Sequence, residues 1–389
     1  MSTTSSKIYL DFSATTPIDP AVAEVISSHL RGTFGNASSI HSFGRTSKVV
    51  LEESRELLAR SIGADPAELF FTSGGTESDN HAIIGTAFAE RKLRKRNHLI
   101  ISSTEHHAVL DSADYLKELG FRVSYLPVDS DGVVRIDTLQ ELITDDTFLV
   151  SVMHANNETG VLQPIREIAE LLEGKGVIFH TDAVQTFGKI PVQVRDLKID
   201  LLSLSAHKIY GPKGIGAIYI RKGTSVDAVL HGGSQERKNR AGTENIPLIA
   251  GFAKAVSLSD QFREATSHQN ASFKKKFIES VTGTLNGIVI NGIPKDSLPH
   301  ILSLSLDSQF YNIEGETLLL ALDLQGIAAS SGSACTSGSI QPSHVLVAMG
   351  RDDRTTKATV RFSFGRTTEE HEVDKTIEMF IEIARRFQR

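Results

Sequence analysis

The 389 residues include no tryptophan, four methionines and one cysteine, Cys335. A single cysteine excludes an intrachain disulfide and suits a reducing compartment, which makes this thiol conspicuous. No apolar run approaches the ~20 residues of a membrane-spanning helix. Met1 to Lys7 is polar and lacks the apolar stretch of a secretory signal. An excess of one charge is also missing. Forty-one basic residues stand against 47 acidic ones, a net charge of −6, so nothing draws the whole molecule to nucleic acid or to an anionic membrane. The one basic run, Arg91-Lys92-Leu93-Arg94-Lys95-Arg96, ends a helical pattern and reads as a solvated helix end. These absences predict a cytoplasmic protein without membrane or direct nucleic-acid contacts.

What is present is length and a regular alternation. The length predicts two domains. A short strand at 8–12 leads into Ser13-Ala14-Thr15-Thr16-Pro17, and Pro20 opens a helix with Asp19 as its cap. A Gly/Asn/Ser-rich stretch, 32–44, contains Asn36 and precedes a long amphipathic helix at 45–62. Apolar strands then recur at 68–72, 98–103, 122–126, 147–153, 177–180, 199–204 and 217–220, most of them separated by helical patterns. This rhythm predicts an α/β fold, a mostly parallel sheet covered by helices on both faces. After Val256 helical patterns dominate to about Val281, with Gly283 as the stop, and short strands and helices follow. The expected division is a large domain at 16–256 and a smaller α+β domain made of 1–15 and 257–389.

In such sheets ligands sit beyond the carboxyl ends of the strands. Lys208 lies there, beside Gly211-Pro212-Lys213-Gly214. Desolvation would lower its pKa and suit a Schiff-base lysine, although a lysine at a strand end is also commonplace. Ser73-Gly74-Gly75-Thr76 opens a helix whose N–H groups can receive one phosphate; it can equally be a glycine turn with a Thr cap. No P-loop pattern occurs. Asp182 can hold a pyridinium N–H or cap a helix, and Gln185 can donate to a phenolic oxygen. His106, Asn157 and His207 are expected at the same sheet edge, although each histidine can equally be an ordinary core or surface residue. Phosphate site, carboxylate, stacking histidine and Schiff-base lysine together describe pyridoxal phosphate. Cys335 lies in Ser330-Ser331-Gly332-Ser333-Ala334-Cys335-Thr336-Ser337-Gly338, a loop with little side-chain bulk that suits a mobile nucleophile. Arg361 alternates with apolar residues and either forks onto a substrate carboxylate or pairs with a structural acid.

These stretches, with Phe71 to Asn80, Asn156-Asn157-Glu158-Thr159-Gly160, Ser205 to Gly214 and Arg240-Ala241-Gly242-Thr243-Glu244-Asn245, resemble the cysteine desulfurases of the nitrogen-fixation and iron–sulfur-assembly type. Those enzymes belong to the class V aminotransferases among fold type I pyridoxal-phosphate enzymes, and the cysteine loop matches their long-loop group. The resemblance implies a large domain with a mostly parallel seven-stranded sheet and a smaller α+β C-terminal domain. It implies that Lys208 carries the cofactor, that His106 stacks on its ring and helps move protons, and that Asp182 holds the pyridine nitrogen. Gln185 and Asn157 would flank the ring oxygen and the substrate. Gly75, Thr76, Ser205 and His207 would bind the phosphate, and Thr243 would reach the phosphate of the partner subunit of a homodimer. Arg361 with Asn36 would hold the carboxylate of L-cysteine. Cys335 would take the sulfur as a persulfide, for an iron–sulfur scaffold or a thiolation carrier, with no resident metal and at most a transient contact of Cys335 with a cluster. A tail that docks the scaffold in housekeeping members is not expected after Arg389, which leaves the acceptor open. A selenocysteine lyase or an aminotransferase would share the cofactor site; an aminotransferase has no use for a mobile thiol.

Overall fold

The computed structural model describes residues 7–293, 295–331 and 342–389. After the short strand β1 (Ile8–Tyr9) come β2 (Leu69–Thr72), β3 (His98–Ser102), β4 (Arg122–Leu126), β5 (Thr147–Ser151), β6 (Ile178–Asp182), β7 (Leu201–Ser205) and β8 (Gly216–Ile220). The last seven form one sheet in the order β2-β8-β7-β6-β5-β3-β4. Pairings from β4 through β7 are parallel, whereas β8 runs antiparallel to both β2 and β7. All but the edge strand β4 are buried along their length. That explains why continuous apolar runs, not alternation, marked them in the sequence.

A second sheet is built from β9 (Ile288–Ile290), β10 (Ile301–Leu306) and, after β11 (Ile327–Ala328), β12 (Thr359–Ser363), in the antiparallel order β12-β10-β9. β1 pairs in parallel with β11, Ile8 beside Ile327, so the N-terminal segment returns to the C-terminal part of the chain. Large apolar cores result. The first packs helices on the seven-stranded sheet; the second gathers Phe273, Phe277, Leu302, Phe362 and Phe380 around the smaller sheet; a third, with Phe70, Leu99, Ile101 and Phe148, also belongs to the seven-stranded sheet. Val345, Leu346 and Met349, late in the sequence, belong to the first core.

Several elements differ from expectation. The helical pattern expected after Val256 is one 39-residue helix, Ile246–Thr284, capped by the Asn245 side chain on Leu248 N. It contributes Phe252 and Val256 to the first core and Phe273 and Phe277 to the second. Its helical course runs through Gly283 to Thr284. The helix that opens at Gly75 contains a π-helical turn, His81–Gly85, before continuing as Thr86–Arg94. Such turns close i→i+5 bonds over a single turn, too short a stretch to leave a readable period of its own. The basic run is only partly a solvated end. Arg94 and Arg96 bind the fully buried Glu90, and the Arg91 guanidinium lies 3.3 Å from the Phe121 ring centroid. No helix of the described residues is long and apolar enough to cross a membrane.

Candidate active site

A cavity of ≈ 420 Å³ opens at the carboxyl ends of the parallel strands. Gly75, Thr76, His106, Asn157, Asp182, Gln185, Ser205, His207, Lys208 and Arg361 all border it. Asn36 and Thr243 do not. Both are exposed, and the Asn36 side chain accepts from Ser38 N in a local turn. Cys335 lies outside the described residues, and Ser330 at the start of its loop borders the cavity.

Lys208 ends the turn Ala206–Lys208 directly after β7. Gly211 keeps that turn tight, because a Cβ there would meet the Ala206 carbonyl oxygen at 2.7 Å. The Lys208 Nζ donates to the carbonyls of Ser13 at 2.5 Å and Ala14 at 2.7 Å. Burial, followed by the nearby Arg361 charge, brings its pKa down to about 8, against the opposing pull of Asp182 and Asp11.

Asp182 closes β6, and its Oδ1 accepts from Val184 N at 2.8 Å. Burial raises its pKa, opposed by that N–H and by His106 and Lys208. The His106 Nδ1 accepts from Ala108 N at 3.1 Å and so caps the helix His107–Glu118. That contact places the ring proton on Nε2. Desolvation lowers the His106 pKa and Lys208 adds to the effect, so the neutral ring is favoured. Burial holds His207 at about 4, with its Nδ1 3.1 Å from Thr15 Oγ1.

At the phosphate corner, no side chain of the described residues caps the helix that starts at Gly75. A Cβ on Gly75 would meet Val184 Cγ2 at 2.8 Å. The Ser205 hydroxyl is buried and has no hydrogen-bond partner among the described residues. Gln185 donates its amide nitrogen to the Ser13 carbonyl at 3.0 Å, and its Oε1 is buried and unpartnered.

Arg361 shows both alternatives open in the sequence. Its Nη2 donates to Asp11 Oδ1 at 2.9 Å and to Ser330 Oγ at 2.7 Å, and its Nη1 donates to the Asn157 carbonyl at 2.8 Å. A structural acid therefore holds it, while its buried Nε makes no hydrogen bond within the described residues.

Sequence reasoning missed several participants. Ser13 and Ala14 act through backbone carbonyls, which no side-chain pattern announces. Asp79 borders the cavity and is fully buried. Burial, then the neighbouring Asp182 charge, pushes its pKa well above the usual carboxylate range. Beneath it, His180 bridges Ser151 Oγ at 2.8 Å and Ser203 Oγ at 3.0 Å. The available signal was spacing: Asp79 follows Thr76 by three residues, one helical turn on the same face.

A family model described as aminotransferase class-V matches residues 8–376. The chain belongs to that family. Among its class-V relatives, the "Cysteine desulfurase IscS" of Dictyoglomus turgidum is 45% identical over 373 residues, covering 96% of this chain and 93% of the relative. The protein of the same description from Methanosarcina thermophila is 46% identical over 388 residues, covering 100% and 94%. A solved structure described as a NifS-like protein superposes with a TM-score of 0.89 at 37% identity, covering 97% of this chain and 99% of that one. Both the sequence likeness and the fold likeness span nearly the full class-V frame.

Proposed function

We propose that the chain is a pyridoxal-phosphate-dependent cysteine desulfurase. It converts L-cysteine to L-alanine and passes the sulfur to Cys335 as a persulfide. The carrying observation is the convergence of Lys208, Asp182 and His106 with an uncapped helix start in one cavity of a class-V chain whose relatives bear that name. The exchange of L-cysteine and a thiol for L-alanine and a persulfide balances without an external oxidant or reductant: sulfur leaves carbon, a proton replaces it, and a sulfur–sulfur bond forms.

The cavity fits the cofactor by three features: the orphaned Ser205 hydroxyl, the open helix start at Gly75, and the carboxylate of Asp182. Gly75, Thr76, Ser205 and His207 would hold its phosphate. Asp182 would hold its ring nitrogen with the oxygen that Val184 leaves free. When bound, pyridoxal phosphate supplies an electron sink for the pair left at the substrate Cα.

The chain's own residues do the rest. Lys208 Nζ takes the Cα proton, since its lowered pKa leaves a useful fraction neutral near pH 8. His106 holds a transferable proton on Nε2 at the cavity wall. Arg361 offers its free Nε and a share of Nη2 to the substrate carboxylate, in competition with Asp11. Asn157 and Gln185 bracket the site. Thr243 and Asn36, exposed on one chain, would complete the site across a homodimer interface. The persulfide on Cys335 would pass to an iron–sulfur scaffold or thiolation carrier.

Cys335→Ser is the test. The variant is expected to keep the visible absorbance of the bound cofactor and to lose sulfur release from L-cysteine by at least a hundredfold, a loss of ~2.7 kcal/mol in transition-state terms. Unchanged turnover would remove Cys335 from the reaction.

A further inference from the structure

Lys208 also borders a second, smaller recess of ≈ 50 Å³. Its walls come from Gly188 and Lys189 after β6, from the Lys208 turn, from the helix Ile246–Thr284 and from the segment before β10. No carboxylate of the described residues lines it.

Its basic groups differ in their pairing. Arg366 is ion-paired with Asp19 and lies over the Tyr210 and Phe262 rings. Arg263 is paired with Asp260 at 2.7 Å. Lys208 rests on two carbonyls. Among the described residues, Lys189 has only the ring of His300 as a partner, its Nζ 2.9 Å from Nε2. His300 is buried, and desolvation together with Lys189 keeps it a neutral imidazole. It accepts from Lys189 without neutralising it. Burial, and then Lys208 and Arg361, hold the Lys189 pKa down to about 7.

An ammonium withdrawn from water without a counter-charge is costly, and either proton loss or an anion relieves the cost. Lys208, on the same wall, adds a second cationic group close to Lys189. Ser259 and Asn270 also line the recess, beside Phe262, Phe364 and Pro299. A water needs only ~10–15 Å³ of such space, so there is room for a larger particle.

We propose that this recess binds a compact monovalent anion of halide size, with Lys189 as its principal ligand. The site adjoins the substrate cavity through Lys208, and the proposal is independent of the desulfurase reading. An anion there offsets part of the positive field that acts on Lys208.

Bromide is the probe. Crystals of the cofactor-loaded protein grown in gluconate and soaked in sodium bromide are expected to show one anomalous bromine peak in contact with Lys189 Nζ. Lys189→Met removes the peak, and Lys189→Arg restores it. Replacing a cation that lacks a counter-charge with an apolar side chain of similar length is compatible with folding. The wild-type map decides even without that variant: a recess filled only by water in bromide overturns the proposal. Bromide kept at equal occupancy in Lys189→Met would reduce the peak to an adventitious ion only. In solution, bromide at constant ionic strength raises the melting temperature of the wild type and leaves that of Lys189→Met unmoved; equal shifts in both would also overturn the assignment.

Discussion

Lys208 owes its character to residues almost two hundred positions away. The carbonyls of Ser13 and Ala14 orient its amine, while burial and Arg361 lower its pKa to about 8. Only the neutral amine is nucleophilic, so the neutral fraction grows as pH rises. The rate at which the cofactor-free protein takes up pyridoxal phosphate is therefore expected to rise with pH and to reach half its maximum near pH 8. Stopped-flow absorbance measures it; a midpoint near the ordinary lysine value would refute the desolvated setting. Lys208, Asp182 and His106 were legible in the sequence because each is a polar residue at the end of an apolar strand. Their settings were not. The Ser13 and Ala14 carbonyls, the Asp11 partner of Arg361 and the buried Asp79 depend on tertiary contacts between distant segments, which leave no local pattern.

At the scale of elements, the loop that carries Thr243 is fixed at two points. Glu236 and Arg55 form a two-pronged ion pair at 2.7 and 2.9 Å, with side chains only 2% and 3% exposed. Glu236 also receives Phe71 N at 2.9 Å, although its own backbone is left-handed at φ 42°. Further along, Arg240 grips Glu77 at 2.8 Å, just inside the helix that starts at Gly75. Burial disfavours the Glu77 carboxylate, but the Arg240 and Ser73 hydrogen bonds outweigh it and hold its pKa below the usual range. Removing one partner of a buried pair strands the other charge. Glu236→Ala is expected to lower stability by about 3–5 kcal/mol in urea unfolding. A loss below 1 kcal/mol would mean that Arg55 finds other acceptors. Strands and helices themselves were largely readable: Arg122–Leu126 has the expected bounds, and Thr147–Ser151 falls within the apolar run at 147–153. The short helices His344–Ala348 and Asp353–Lys357 were not, because five residues carry too little periodicity.

For the molecule as a whole, the surface is informative. Leu30, Phe34, Ile40 and Phe43 are 67%, 74%, 91% and 57% exposed within one short stretch, and the Phe34 and Phe43 rings lie 5.1 Å apart. A concentrated apolar surface of this kind calls for a cover. It surrounds Asn36, which the substrate cavity of a single chain does not reach. A second copy of the chain is the proposed cover. Phe34→Asp is expected to shift the protein from dimer to monomer in sedimentation and to weaken cofactor retention at least tenfold, through loss of the partner's Thr243. A Phe34→Asp protein that stays dimeric would place the interface elsewhere.

The pairing of β1 with β11 has a consequence in time. The carbonyls that cradle Lys208 emerge from the ribosome before it, and the lysine follows nearly two hundred residues later. Yet the strand that seats them, Ile327–Ala328, and the arginine that grips Asp11 are made well after Lys208. A nascent chain can fold most of its large sheet with the reactive amine still unroofed. The site becomes competent only after Arg361 has been made, so a growing chain that has not yet reached it cannot release sulfur.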